Sequence, residues 1–234
     1  MVQKEYAPDT DCLADRILLA DTTVLADDAL FARGLLWITE ERRAQIERLK
    51  SPDDRRRSLG AGLLLEFGLR ERGLSLLAGV PGKTQVSIRR GAFGKPYLAK
   101  RQELFFNLSH AGDYAAAVFT DCAAGIDVET KRQVRSGMAE RFFTEEECAA
   151  LLRGEHDFFW FWTRKESYIK AVGEGMHLPL TDFCVLSDKL SGERSYFFKT
   201  WEEAEGLFLS VCAAKPVAAA PIRVDLRAKL EKSI

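Results

Sequence analysis

The chain has 234 residues, 47% of them hydrophobic, enough to bury one substantial core or two small ones. Its 34 Lys and Arg against 35 Asp and Glu leave a net charge of −1, so no global field draws it to nucleic acid or to a membrane surface. The cysteines, Cys12, Cys122, Cys148, Cys184 and Cys212, are odd in number and lack a CxxC spacing, which argues against a zinc site and a disulfide framework alike.

At the start, Met1 to Tyr6 lacks the basic, apolar, small-residue order of a signal peptide, and no apolar run approaches the ~18 residues of a membrane span. A soluble, cytoplasmic protein is expected. A strand-like stretch from Arg16 to Leu25 precedes helical periodicity from Thr39 to Arg72, broken at Ser51-Pro52. Within it lie Arg42, Arg43, Arg48, Lys50, Arg55, Arg56 and Arg57, much of which reads as the solvated face of a helix. The triple arginine also suits a multiply charged phosphate ligand.

Short strands are expected near Gln85 to Arg89, Leu104 to Leu108 and Tyr114 to Phe119. Gly94-Lys95-Pro96 predicts a tight loop whose backbone can lie against a planar ligand. Ser109 and His110 close an apolar strand pattern, where a hydroxyl, a backbone amide and an imidazole could meet a phosphate oxygen.

Gly125-Ile126-Asp127-Val128-Glu129 alternates acid, apolar, acid at strand period, so the Asp127 and Glu129 carboxylates share a face. Their Cα atoms would lie ~6.6 Å apart, and two flexible carboxylates can converge from there onto a hard cation. Helices are expected around Ser136 to Phe142, Glu145 to Arg153 and Asp157 to Ala171, then strands near Phe183 to Leu186, Arg194 to Thr200 and Leu207 to Ala213. On the third helix Trp162, Glu166 and Lys170 climb one face, setting an acid and an amine one turn apart. Alone, that pair reads as a solvated surface pair; together with the acidic strand upstream it reads as a site for a metal and a phosphate. Elements recur as strand, helices and strands, which predicts two α+β halves, 1–122 and 123–234, joined near Asp121 to Ala124, the second carrying the acids.

In order, the GKP at Gly94, NLSH at Asn107, GIDVE at Gly125, FFTEEE at Phe142 and WTRKESYIKAVGEGMHLPL from Trp162 resemble the Sfp-type 4′-phosphopantetheinyl transferases. The resemblance implies two similar α+β halves about a pseudo-twofold axis in one monomeric chain, with coenzyme A in the cleft between them. It further implies that Asp127, Glu129 and Glu166 hold Mg²⁺, or Mn²⁺ in its place, and that Glu166 takes a serine proton directly or through water. Lys170 would donate to a phosphate oxygen. Arg57, Lys95, Ser109 and His110 would bind coenzyme A, with Arg57 and His110 toward its 3′-phosphate and Lys95 in the adenine-side loop. Glu41 and Ala44 stand where the family often has lysines, a departure that Arg42 and Arg43 would make good after a small shift.

The implied reaction moves the phosphopantetheine arm of coenzyme A to a serine of an apo acyl or peptidyl carrier protein, releasing 3′,5′-ADP. The carrier would dock on Thr130 to Gly137. Two alternatives use the same residues: a non-catalytic coenzyme A or nucleotide sensor, and a Mg²⁺-dependent pyrophosphohydrolase.

Overall fold

The computed structural model describes residues 15–203 and 206–232; Cys12 and the Met1 to Tyr6 stretch lie outside the described residues. The chain forms β1 (Arg16–Asp21), α1 (Asp28–Leu35), α2 (Glu40–Glu47), α3 (Pro52–Glu71), the short β2 (Leu74–Ser75), β3 (Thr84–Gln85), β4 (Ile88–Arg90) and β5 (Pro96–Leu98), then β6 (Phe105–Ala111), β7 (Tyr114–Thr120) and β8 (Ala124–Thr130). It continues with α4 (Met138–Phe142), α5 (Glu145–Leu152), α6 (Phe158–Val172), β9 (Lys189–Leu190), β10 (Tyr196–Glu203), β11 (Leu207–Ala213), β12 (Pro221–Arg223) and α7 (Leu226–Glu231).

Two four-stranded sheets result, ordered β12-β1-β7-β6 and β8-β11-β10-β9. The same unit occurs twice in this α+β fold. An opening strand, β1 or β8, is followed by a long helix, α3 or α6, and then by an antiparallel pair whose second member inserts beside the opening strand.

Alternation along the strands dictates the layers. On β1, Leu18 and Ala20 turn toward α3 while Ile17 and Leu19 turn the other way; on β7, Ala115, Ala117 and Phe119 face α3 while Ala116 and Val118 do not. The second set meets Ile126 and Val128 of β8 and Leu207, Leu209 and Val211 of β11, so the two sheets pack face to face. α6 and α5 cover the far side of the second sheet through Phe161, Ile169, Ala150 and Phe198. With both faces covered, β11 is buried throughout, which is why it reads as a continuous apolar run.

Several expectations meet a different outcome. The strand expected from Arg16 to Leu25 stops at Asp21, whose Oδ1 accepts from Thr23 N at 2.7 Å and turns the chain into a short 3₁₀ segment. Helix α1, capped by Asp27, was not anticipated. Phe183 to Leu186 is not a strand, because side chains satisfy its backbone: Lys165 Nζ donates to Phe183 O at 2.7 Å and Val185 N donates to Glu147 at 2.7 Å.

Two elements also cross the division expected at 122/123. β12 pairs in parallel with β1, and α7 inserts Leu226 and Leu230 into the core of the first half. Among the described residues no helix is long and apolar enough to cross a membrane.

Candidate active site

α6 starts at Asp157, whose carboxylate accepts from Phe159 N at 2.9 Å, and ends at Gly173 with φ +83°. Gly173 thus terminates the helix, as its sequence position suggests. Along α6, Phe161, Thr163, Arg164, Lys165 and Ser167 are buried, while Trp162, Glu166 and Lys170 stay half-buried and form one stripe. Trp162 packs edge-on to Phe142 and parallel to Phe158, fixing the stripe at its amino-terminal end.

Gly125 decides how near that stripe comes to β8. A Cβ there would stand 2.1 Å from Ser167 O and 2.4 Å from Ala171 N, so only glycine admits α6 at this distance. The close approach brings Lys170 onto the acidic strand. Lys170 Nζ lies 2.5 Å from Asp127 Oδ1, 3.0 Å from Ser109 Oγ and 3.2 Å from Ile126 O. Ser109 Oγ in turn donates to Asp127 Oδ1 at 2.8 Å. Ser109 belongs to the first sheet, whereas Asp127 lies on β8 of the second and Lys170 on α6, which covers it.

Asp127 is buried and its Oδ2 has no hydrogen-bond partner. Burial raises its pKa above the usual carboxylate range against the pull of Lys170, and Glu129 adds to the rise. Glu166 is raised as well, by burial first and then by Asp127, while Lys170 opposes the shift. Among the described residues no hydrogen bond or ion pair holds the Glu166 carboxylate. Glu129 is gripped by Arg132, NH1 to Oε2 at 2.6 Å and NH2 to Oε1 at 3.3 Å.

Among the described residues no three His, Cys, Asp or Glu side chains stand as a closed metal cluster. The chemistry of the set nonetheless suits a hard cation. Three carboxylates sit near one another, two of them raised by burial and mutual repulsion, and a buried oxygen of one has nothing to bond.

Across the seam, Ser109, His110 and Lys170 line a cavity of about 360 Å³ together with Arg42, Arg90 and Pro96. The imidazole of His110 reaches solvent at the cavity mouth, yet the surrounding walls strip part of its hydration. That desolvation, with Arg42 and Arg57 nearby, lowers its pKa below the usual histidine range. Arg42 gives NH2 to Ser58 O at 2.9 Å, but its buried Nε has no partner, and burial followed by Arg90 lowers its pKa. Such a group is built to meet an anion. Arg43 is not, since its Nε is spent on Leu35 O at 2.5 Å.

Two expected ligands already hold partners within the protein. Arg57 gives NH1 to Gly112 O at 2.8 Å and pairs with Asp54, and it stands near His110. Lys95 puts its ammonium on Ala124 O, at 3.0 Å, and Ala171 O, at 2.8 Å, and is not among the residues lining the cavity with His110.

The sequence matches the 4′-phosphopantetheinyl transferase superfamily over residues 123–220 and the amino-terminal part of a 4′-phosphopantetheinyl transferase over residues 27–121. It is 30% identical over 197 residues to the 4′-phosphopantetheinyl transferase ffp of Bacillus subtilis, covering 79% of this chain and 85% of that protein. The chain belongs to the 4′-phosphopantetheinyl transferase superfamily. It is a transferase of the 4′-phosphopantetheine arm. The Sfp protein of Bacillus subtilis strain 168 is matched to the same extent, at 30% over 197 residues, 79% of this chain and 85% of that one. HetI of a Nostoc species is 35% identical over 154 residues, 59% of this chain and 61% of its own.

Other residues of the transferase stand out only in three dimensions. Asn107 Oδ1 accepts from Ile126 N at 3.0 Å across the gap between the halves. Arg90 reaches the cavity from the β4–β5 hairpin. Lys165 is buried against Glu147, which makes it a support for α6. Asn107 shares a strand face with Ser109, and Lys165 lies about 100° round the helix from Glu166, which suits a supporting role.

Proposed function

We propose that this transferase takes the phosphopantetheine arm from coenzyme A and places it on a serine of an apo acyl or peptidyl carrier protein, releasing 3′,5′-ADP, and that it works as a monomer. The observation that carries the reading is the meeting of Lys170, Asp127 and Ser109 across the seam, with Glu166 half-buried beside them.

The 3′-phosphate of coenzyme A suits His110, Arg42 and Arg90, with Arg57 behind them. A dianion there would pull the proton back onto His110 and satisfy the buried Arg42 Nε. The backbone of Gly94 to Pro96 suits the adenine edge. Asp127, Glu129 and Glu166 would hold Mg²⁺, or Mn²⁺, once Glu129 turns from Arg132. When bound, the metal supplies charge neutralisation at the pyrophosphate.

Glu166 is the base. Half-buried on the α6 stripe beside Asp127 and Lys170, its carboxylate stands where it could accept a proton. As it takes the serine proton, directly or through one water, the serine oxygen bonds to the phosphorus carrying the pantetheine arm. The bond from that phosphorus to the oxygen of 3′,5′-ADP breaks. Lys170 stabilises negative charge on the phosphoryl oxygens as the bond breaks.

Mass spectrometry of apo acyl and peptidyl carriers incubated with coenzyme A and Mg²⁺ tests the proposal. Holo carrier and 3′,5′-ADP in equal amounts are expected. Free phosphopantetheine instead would mark a hydrolase, and no product with retained coenzyme A binding would mark a sensor.

A further inference from the structure

β8 is an edge strand of the second sheet, and β6 is the facing edge of the first. The two do not pair as strands. A buried edge with unbonded amides and carbonyls would be costly, so the groups along β8 need other partners. Side chains supply them. Lys95 Nζ donates to Ala124 O, Asn107 Oδ1 accepts from Ile126 N, and Ser109 Oγ stands 3.4 Å from Val128 N. These contacts alternate along one edge of β8 and run up to both sides of Asp127. Because each spans the length of a side chain, they hold the edges farther apart than the ~4.8 Å of a backbone ladder.

Lys95 makes a second contact of consequence. Its ammonium also takes Ala171 O, a carbonyl in the last turn of α6 where intrahelical donors run out, next to Lys170. The stem fills a notch at Gly173, where an added Cβ would stand 2.8 Å from Lys95 Cδ. Lys95 forms no ion pair among the described residues, and Asn107, buried at the wall of the cavity that Ser109 and His110 line, spends its Oδ1 on Ile126 N. Neither has a bond to Asp127, Glu129, Glu166 or Lys170.

We propose that Lys95 and Asn107 are positioning residues that fix the register of the second half against the first, and thereby set Asp127 and Lys170 opposite Ser109, His110 and Arg42. The inference rests on the transfer chemistry proposed above for those five side chains. It gives the side chain of the GKP lysine a role in seating α6, beside the adenine contact proposed for its backbone.

Amide hydrogen exchange on the substrate-free protein, combined with steady-state kinetics, tests it. In Asn107→Leu, exchange at Ile126 and Val128 should rise about tenfold while the β1–β7 pairing is unaffected. In Lys95→Met the rise should fall on the last turn of α6 and the β4–β5 hairpin. In both, the coenzyme A KM should rise about tenfold with the carrier KM unchanged, because coenzyme A spans the seam and the carrier does not. Loss of stability alone would lower the active fraction and leave both KM values in place. Uniform acceleration of exchange with an unmoved coenzyme A KM, or unchanged exchange at the seam, would overturn the proposal. Should Asn107→Leu not fold, Lys95→Met at the rim carries the same test. A wild-type protein that modifies no carrier would refute the transfer reading, and the exchange pattern would still decide whether these residues hold the seam.

Discussion

Lys165 Nζ lies 2.8 Å from Glu147 Oε2 with both side chains wholly buried. The same ammonium donates to Leu180 O at 2.6 Å and Phe183 O at 2.7 Å, while Glu147 accepts from Thr144 N and Val185 N. The pair therefore bolts α5, α6 and the segment after α6 together. Removing one partner strands a charge in the interior at a cost of about 3–5 kcal/mol. Glu147→Ala and Lys165→Met should each lower the unfolding free energy by that order in urea titrations, while the fraction still folded keeps a normal coenzyme A KM. A loss under 1 kcal/mol would mean that the pair is not sealed from water.

Glu166 and Asp127 should respond differently to neutralisation. Glu166 has no bond to lose and is repelled by Asp127, so Glu166→Gln should cut turnover at least about a hundredfold with thermal stability unchanged or raised. Asp127→Asn should also abolish transfer but lower stability, because Lys170 and Ser109 lose their charged partner. Paired kinetic and melting measurements on the two variants check this split. Near wild-type turnover in either would remove that acid from the reaction.

Arg42→Ala and His110→Ala should raise the coenzyme A KM about tenfold or more, as expected for losing a charge-assisted bond. Both variants should lose much less with dephospho-coenzyme A, which lacks the 3′-phosphate. Equal penalties with the two substrates would place that phosphate elsewhere.

If the carrier docks on the loop after β8 and is acidic there, Lys131, Arg132 and Arg135 would meet it unequally. Lys131 is paired with Asp157 at 2.6 Å and Arg132 with Glu129, whereas Arg135 is exposed on the turn before α4. Arg135→Glu should therefore raise the carrier KM severalfold at low salt and lose its effect as salt rises, with coenzyme A affinity by calorimetry unmoved. Carrier kinetics indifferent to this change would direct docking to the apolar neighbours Val134 and Met138.

Burial lowers the pKa of Lys95 from an ordinary lysine's 10.5 to about 8. Below 8 both the folded and the unfolded chain hold the proton, and the folded chain bears the desolvation. Between 8 and 10.5 the folded chain releases it first, so this residue makes stability rise with pH across that window. The difference in unfolding free energy between wild type and Lys95→Met should accordingly drift in favour of wild type from pH 8 to 10. A difference independent of pH would mean that the ammonium is well hydrated.

The parts of the fold legible in sequence are those written in short periods. Asp127 and Glu129 announce themselves by alternation, and Glu166 and Lys170 by helical spacing. The missing parts depend on partners far along the chain. Nothing local says that Phe183 and Val185 will be claimed by Lys165 and Glu147 instead of a neighbouring strand. Nothing local says that the amine of Lys95 will find two carbonyls in the other half, or that Arg42 will face the cavity while Arg43 turns to Leu35. Side chains that bridge two sheet edges leave no periodic trace.

β12 meets β1 across about two hundred residues of sequence, Ile17 against Pro221. Such a pairing raises the contact order of the chain. Without β12, β1 would present a bare row of backbone groups, the kind of edge on which chains aggregate. A fragment ending at residue 122 would keep that edge open and lack Leu226 and Leu230 from its core. The two halves, though built on one plan, are thus not separable cassettes: the first depends for its completion on a strand made after the second.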